Sequence, residues 1–344
     1  MSIKRLALQF PTALLITMLL LGAMVPRPAH ADATVRYAKP GGLTSGTCDS
    51  WANACTLQYA LSVAAGGEEV WVQVGTHRPG ASGARTATFQ LVSGVAIYGG
   101  FAGTETARDD RNWTTNVTVL SGDLDASGDH TNNDAYHVVT GSGVTTTAVL
   151  DGFTITGGYA NGSGASSDGA GVYNDAGSPT LANLVVTANA GTHDGGGMTN
   201  TNSSSPSLDH VIFSDNSAAS GGGMINLNGS NPTLTHVIFS SNAASAYGGG
   251  MRNYNNSHPT LTDVTFSTNT SANGGAMVND NSSPTLINVT FQSNTATGNG
   301  GGMLNASSSH PTLTHVAFNS NTSVNAAGGG VFNDTNSHPT LTDV

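Results

Sequence analysis

Two groups of side chains in this sequence have the residue types and spacing for chemistry. The first is Asp123-x-Asp125-x-Ser127-Gly128-Asp129, with Asp134 at the twelfth position. Oxygen ligands at alternate positions and glycine at the sixth wrap a hard cation, so calcium in a structural role is the cofactor this loop would take. Against that, the twelfth residue is Asp where Glu is usual, position eight is His130, and flanking helices are not evident. A plain Asx-rich loop is the competing reading. The second group is His210, His236 and Asp263, which fall at the same point of successive repeats. Imidazole and carboxylate suit zinc. The same column also takes Asn183, Asn288, His315 and Asp343, which a tolerant polar turn position explains better.

A catalytic set is harder to find, and none is assigned. A lyase needs Arg or Lys as base beside cations that neutralise a carboxylate. After Arg111 the only basic residue besides histidine is Arg252. A hydrolase needs two or three carboxylates converging on one face. Asp175, Asp194, Asp209, Asp215, Asp263, Asp280, Asp334 and Asp343 instead occupy scattered repeat positions and read as solvated turn residues.

The elements that position these residues are written as a repeat. Proline recurs at Pro179, Pro206, Pro232, Pro259, Pro284, Pro311 and Pro339, a period of 25 to 28 residues. Aligned on it, Leu234, Val237, Phe239 and Asn242 recur as Leu261, Val264, Phe266 and Asn269, and glycine triplets precede Met224 and Met251. Such a period means a solenoid whose units bury their apolar faces against their neighbours. Leu234-x-x-Val237-x-Phe239-x-x-Asn242 also matches a leucine-rich repeat, but residues 243–251 offer glycines and another short strand in place of a leucine-bearing segment. The expectation is an all-β, right-handed parallel β-helix with three short strands per rung. Stacked rungs put like on like, so the asparagine columns Asn174–Asn333 and Asn189–Asn321 should bond along the axis.

Residues 1–31 read as a secretory signal peptide, with Lys4 and Arg5, an apolar stretch from Leu14 to Val25, and Ala29-His30-Ala31. The apolar stretch is too short for a membrane span, and no transmembrane span is expected in the mature chain. Removing it takes away three basic residues and no acidic one, so the mature chain is more acidic than the net −11 of the whole. Nucleic acid is therefore not an expected partner. Residues 32–116 hold all three tryptophans and read as a cap with the first, irregular rungs. Within them, residues 56–66 have a Thr N-cap, helical spacing and a Gly stop, which predicts a short capping helix. Residues 70–74, 88–92 and 95–98 read as strands. The two cysteines, Cys48 and Cys55, suggest one disulfide loop in an oxidising compartment; free thiols or half a metal site are the alternatives. Residues 117–344 form the β-helix proper, strict from about 169, and stopping within a repeat at Val344 suggests that the natural C-terminus lies further on.

Phe-x-x-Asn (213–216, 239–242, 266–269, 291–294, 318–321) paired with Gly-Gly-x-apolar resembles the repeat of the polymorphic outer-membrane proteins. Residues 51–151 are similar to secreted bacterial β-helix proteins of the choice-of-anchor type, and the scaffold resembles the pectin-lyase-like superfamily. The resemblance implies an exported, secreted or cell-surface scaffold, adhesin-like or glycan-contacting, with extracellular glycans or a host or neighbouring cell surface as partner. The alternative it implies is a polysaccharide lyase or glycoside hydrolase acting from loops in residues 100–165, where a cleft with converging Asp or Arg/Lys would be the mark.

Overall fold

Glycine, proline and left-handed residues interrupt each repeat at fixed offsets, and short strands are what remains. In the computed structural model, which describes Thr34–Val344 except residue 335, a typical rung has Thr233–Thr235 and Ile238–Ser240 on its first face. Ala243–Tyr247 makes the second face and Met251–Tyr254 the third. Pairing is parallel and joins each residue to its equivalent one repeat later, as in Leu208↔Leu234↔Leu261↔Leu286. Three parallel sheets result, of 18, nine and seven strands among the described residues. This is the β-helix that the period predicts. The first face holds one continuous strand in Thr180–Thr187 and Ser207–Ser214, which later rungs break in two around a left-handed residue.

The interior follows from register. Leu234, Val237, Phe239 and Met251 are fully buried, as are their equivalents through most of the repeats. Phe213, Phe239, Phe266, Phe291 and Phe318 stack at 4.7–5.0 Å between ring centroids, nearly parallel at 4–6°. That distance is the spacing of neighbouring strands, so the backbone sets the ring stack. Both asparagine ladders form. Asn200 Nδ2 donates to Asn226 Oδ1 at 2.9 Å, and Asn226 to Asn253 at 2.8 Å. In the second column Asn242 Nδ2 donates to Asn269 Oδ1 at 3.0 Å and to the Phe213 carbonyl at 2.9 Å. A third ladder is made by serine: the Ser230 N–H donates to Ser257 Oγ at 3.2 Å, and Ser257 N–H to Ser282 Oγ at 3.2 Å. Each ladder supplies partners to polar groups that would destabilise the interior by about 1–3 kcal/mol if left unpaired.

At the N-terminal end Val35–Leu43 pairs with Glu69–Gln73. The helix Leu57–Val63 starts at Thr56, whose Oγ1 accepts the Tyr59 N–H at 3.3 Å, and it buries Leu57, Ala60 and Leu61. It ends at extended Ala64, before Gly66. Cys48 and Cys55 are joined in a disulfide and fully buried. The strand expected at 70–74 is Glu69–Gln73, that at 95–98 is Ala96–Phe101, and that at 88–92 shrinks to Phe89–Gln90. Strand pairing runs on across position 116, since Gly75–His77 pairs with Thr118–Ser121. The expected signal peptide lies outside the described residues. Among those residues no helix is long and apolar enough to cross a membrane.

Candidate functional site

The 18-strand face carries an outward column that reads Tyr98↔Asp151↔Ala182↔Asp209↔Thr235. Beside it runs a corner column, Gly152, Asn183, His210, His236 and Asp263, all with positive φ. Asn, Asp and His are the non-glycine residues that best tolerate this conformation, which explains why the column is polar and variable. Residues 102–117, inserted between Ala96–Phe101 and Thr118–Ser121, fold against the head of these columns. Their charged run from Arg108 to Arg111 ends two residues before Trp113.

The insertion is fixed at both ends. Glu105 accepts backbone N–H groups of Ala102, Gly103 and Thr104 at 2.6–3.0 Å. The Asn112 N–H donates to the Gly100 carbonyl at 2.8 Å, and Asn116 Nδ2 donates to the same oxygen at 3.2 Å. Arg111 Nη1 donates to the carbonyls of Gly99 and Asp151, both at 3.1 Å, and its Nη2 lies 2.8 Å from Asp151 Oδ2. Gly100 and Gly152 admit this close approach: both have positive φ, and a Cβ on either would meet Trp113 at 3.0 Å or less. The Arg111 guanidinium lies 4.9 Å from the Tyr98 ring and 4.8 Å from Trp113, and Arg108 lies 5.2 Å from Tyr98.

A groove results. Its upper cavity, about 420 Å³, is lined by Tyr98, Arg108, Asp109, Arg111, Trp113 and Asp151. A second cavity of about 480 Å³ continues along the sheet past Trp113, Val117, Phe153 and Asn183 to His210 and Ile212. Trp113 borders both and is 39% exposed. Sequence reading singled out neither Trp113 nor Tyr98, Arg108 or Asp151. The available signal was a run of charge and aromatic in a chain only 9% charged. Asp and Arg do converge here, within the 100–165 region where an enzyme reading would require it. They converge on each other, however. Arg111, with 8% of its side chain exposed, is spent on Asp151, while Arg108 lies 3.0 Å from Glu69 and 3.6 Å from Asp109. Burial pushes the Tyr98 hydroxyl above its ordinary value, a shift that the Arg108 charge offsets in part.

The remaining candidates are placed as follows. Carboxylate oxygens of Asp123, Asp125 and Asp134 lie within 4.8 Å of one another. Asp129 is not in that group, and Ser127 Oγ donates to the Asp129 carbonyl at 3.2 Å. Asp123 accepts the Ser127 and Gly128 N–H groups at 3.0 and 3.1 Å, and Asp125 accepts Asn133 Nδ2 at 3.0 Å. Hydrogen bonds from Asn133 and Ser127 hold the Asp125 carboxyl well below its usual range, whereas burial raises that of Asp134. Those oxygens suit a hard cation such as calcium, and the loop's own donors already engage them. His210 and His236 meet, and Asp209 joins them, with Asp263 on the far side of His236. Arg252 is held between Tyr247 and Tyr254 at 4.7 and 4.8 Å and donates to Ser220 Oγ at 3.0 Å.

Comparison with known proteins bears on the fold. Among solved structures, the crystal structure of pectate lyase Pel9A superposes with a TM-score of 0.52 at 12% identity, covering 85% of this chain and 78% of that one. The Agl-KA catalytic domain is matched at a TM-score of 0.27 and 10% identity, covering 83% of this chain and 64% of that one. At such identities the likeness to Pel9A is one of fold alone. Comparison with curated proteins returns no match. The family model described as right handed beta helix region matches residues 137–323, over half of the sequence. The parallel ladders, the stacked columns and this match agree: the chain belongs to the right-handed β-helix family.

Proposed function

We propose that this protein is an exported, secreted or cell-surface β-helix that contacts glycans without cleaving them, through the groove around Trp113. The observation that carries the reading is the neutralised head of the groove: a half-exposed Trp113 beside Tyr98, with both arginines paired to carboxylates. An aromatic face with fixed hydrogen-bonding groups around it is a surface for a sugar ring. Paired cations do not attract a polyanion, so the reading is a neutral glycan. The same pairing removes what a lyase requires, a free base and uncompensated positive charge. The repeat's resemblance to the polymorphic outer-membrane proteins supports an adhesin-like setting for such a surface.

A panel of neutral and acidic polysaccharides, read for retention and for released product, tests this. Neutral glycans should be retained without release, and Trp113→Ala should weaken retention by about tenfold or more. Released oligosaccharides would overturn the non-catalytic reading in favour of a lyase or hydrolase on this scaffold. Retention unaffected by Trp113→Ala would move the contact away from the groove.

A further inference from the structure

One rung departs from its neighbours two strand spacings, about 10 Å, beyond Asp151. The outward position before the left-handed corner is threonine in Thr235, Thr262 and Thr314, but aspartate in Asp209. The corner itself is histidine in two successive rungs, His210 and His236, with φ of 54° and 53°. Parallel stacking brings the two rings to 4.5 Å between centroids. Both Nδ1 atoms then point at one oxygen, Asp209 Oδ1, at 2.9 Å from His210 and 3.1 Å from His236. On the other side of its ring, His236 Nε2 lies 3.8 Å from Asp263 Oδ2. All four residues are solvent-exposed.

We propose that Asp209, His210 and His236 bind a divalent transition-metal ion, zinc being the ion their donors suit, with Asp263 orienting His236 through its outer nitrogen. Two imidazole nitrogens and one carboxylate oxygen favour zinc or copper over calcium or magnesium. Ligands at about 2.0–2.1 Å from a tetrahedral ion sit about 3.3 Å apart. The Asp209 oxygen, at 2.9 and 3.1 Å from the two nitrogens, needs only small outward shifts, and the three donors already lie within 4.8 Å of one another. A carboxylate behind a ligating imidazole is the usual outer shell of such sites, and Asp263 occupies that place. Three protein ligands leave a fourth position open. His210 also lines the lower cavity, so the ion would sit at the far end of the groove. His315 provides an internal contrast. It lies 3.3 Å from Asp343, but Asn288 and Ile287 stand where a second imidazole and the near carboxylate would be needed. Metal uptake here does not depend on what the groove binds.

The test is titration of the purified protein with zinc by calorimetry and with cobalt(II) by visible absorption, with circular dichroism checking the fold. One ion per chain and the ligand-field bands of a tetrahedral cobalt site are expected. Asp209→Thr copies the next two rungs, Thr235 and Thr262, and His236→Asn copies the corner residues Asn183 and Asn288, so both preserve the solenoid. Each should weaken zinc binding at least about tenfold, Asp263→Asn should weaken it by about tenfold, and His315→Asn should leave it unchanged. Excess calcium should not displace the cobalt. Zinc binding that survives Asp209→Thr and His236→Asn combined, or no uptake at concentrations up to about 1 mM, would overturn the site.

Discussion

The strict repeats from about residue 169 and the irregular rungs before them use the same backbone to opposite ends. In the repeats, Phe lies on Phe, Asn on Asn and Ser on Ser, and a neighbour supplies the missing partner except at the ladder end, where Asn174 Oδ1 has none. In residues 34–165, tailored contacts replace the columns. Arg85 Nε donates to the Asp134 carbonyl at 2.8 Å, Arg111 joins the insertion to Gly99 and Asp151, and Trp71 stacks on Phe101 at 4.8 Å. Regularity yields a stable but uniform surface. Concavity arises where the repeat is broken, at the insertion 102–117, and a cluster of ligands arises where one threonine of a column becomes Asp209.

The contrast can be tested by breaking each region in turn. Phe266→Ala removes a ring stacked on Phe239 and Phe291 at 4.7 and 5.0 Å, and should destabilise the repeats by about 3–5 kcal/mol in denaturant titration. Because rungs interact with nearest neighbours, hydrogen exchange should rise first in the adjoining rungs and spread from there. Uniform exchange along the chain would instead make the solenoid one cooperative block. Arg111→Ala leaves the largely buried Asp151 carboxylate without its partner and should destabilise by about 3 kcal/mol. Proteolysis should then cut within 102–117 while the strict repeats stay protected. If the repeats are cleaved as readily, the two regions do not fold separately.

Replacing Cys48 and Cys55 by serine opens a short loop, for which chain entropy predicts a loss of about 2.5 kcal/mol. The damage should be confined to the capping helix, read as lost protection at Leu57–Val63. The smallest effect expected is on acid sensitivity. Burial pushes His77 and His137 below the ordinary imidazole value. A depressed folded-state value means that their contribution is fully present above the unfolded value, about 6.5, and is lost as pH falls. His77→Gln with His137→Gln should flatten the fall in Tm between about pH 7.5 and 5. An unchanged slope in the double variant would place the acid sensitivity elsewhere.

What the sequence alone determined is the scaffold. Proline spacing, the Leu, Val, Phe and Met columns and the two asparagine ladders were legible because parallel in-register stacking maps a linear period onto spatial neighbours. The capping helix was legible from Thr56 and its apolar spacing. The serine ladder was missed, because Ser230 and Ser257 look like ordinary turn residues until their backbone N–H groups are seen to need acceptors. Tertiary structure decided the groove and the metal-ligand cluster. Nothing in the spacing of Tyr98, Trp113 and Asp151 says that an insertion turns back onto the sheet, since contacts outside the repeat follow no period. The histidine column could be drawn from the sequence, with Asp263 as its acid. That Asp209 is the carboxylate between the rings depended on the left-handed corner, which turns His210 toward its own neighbour and brings His236 over both.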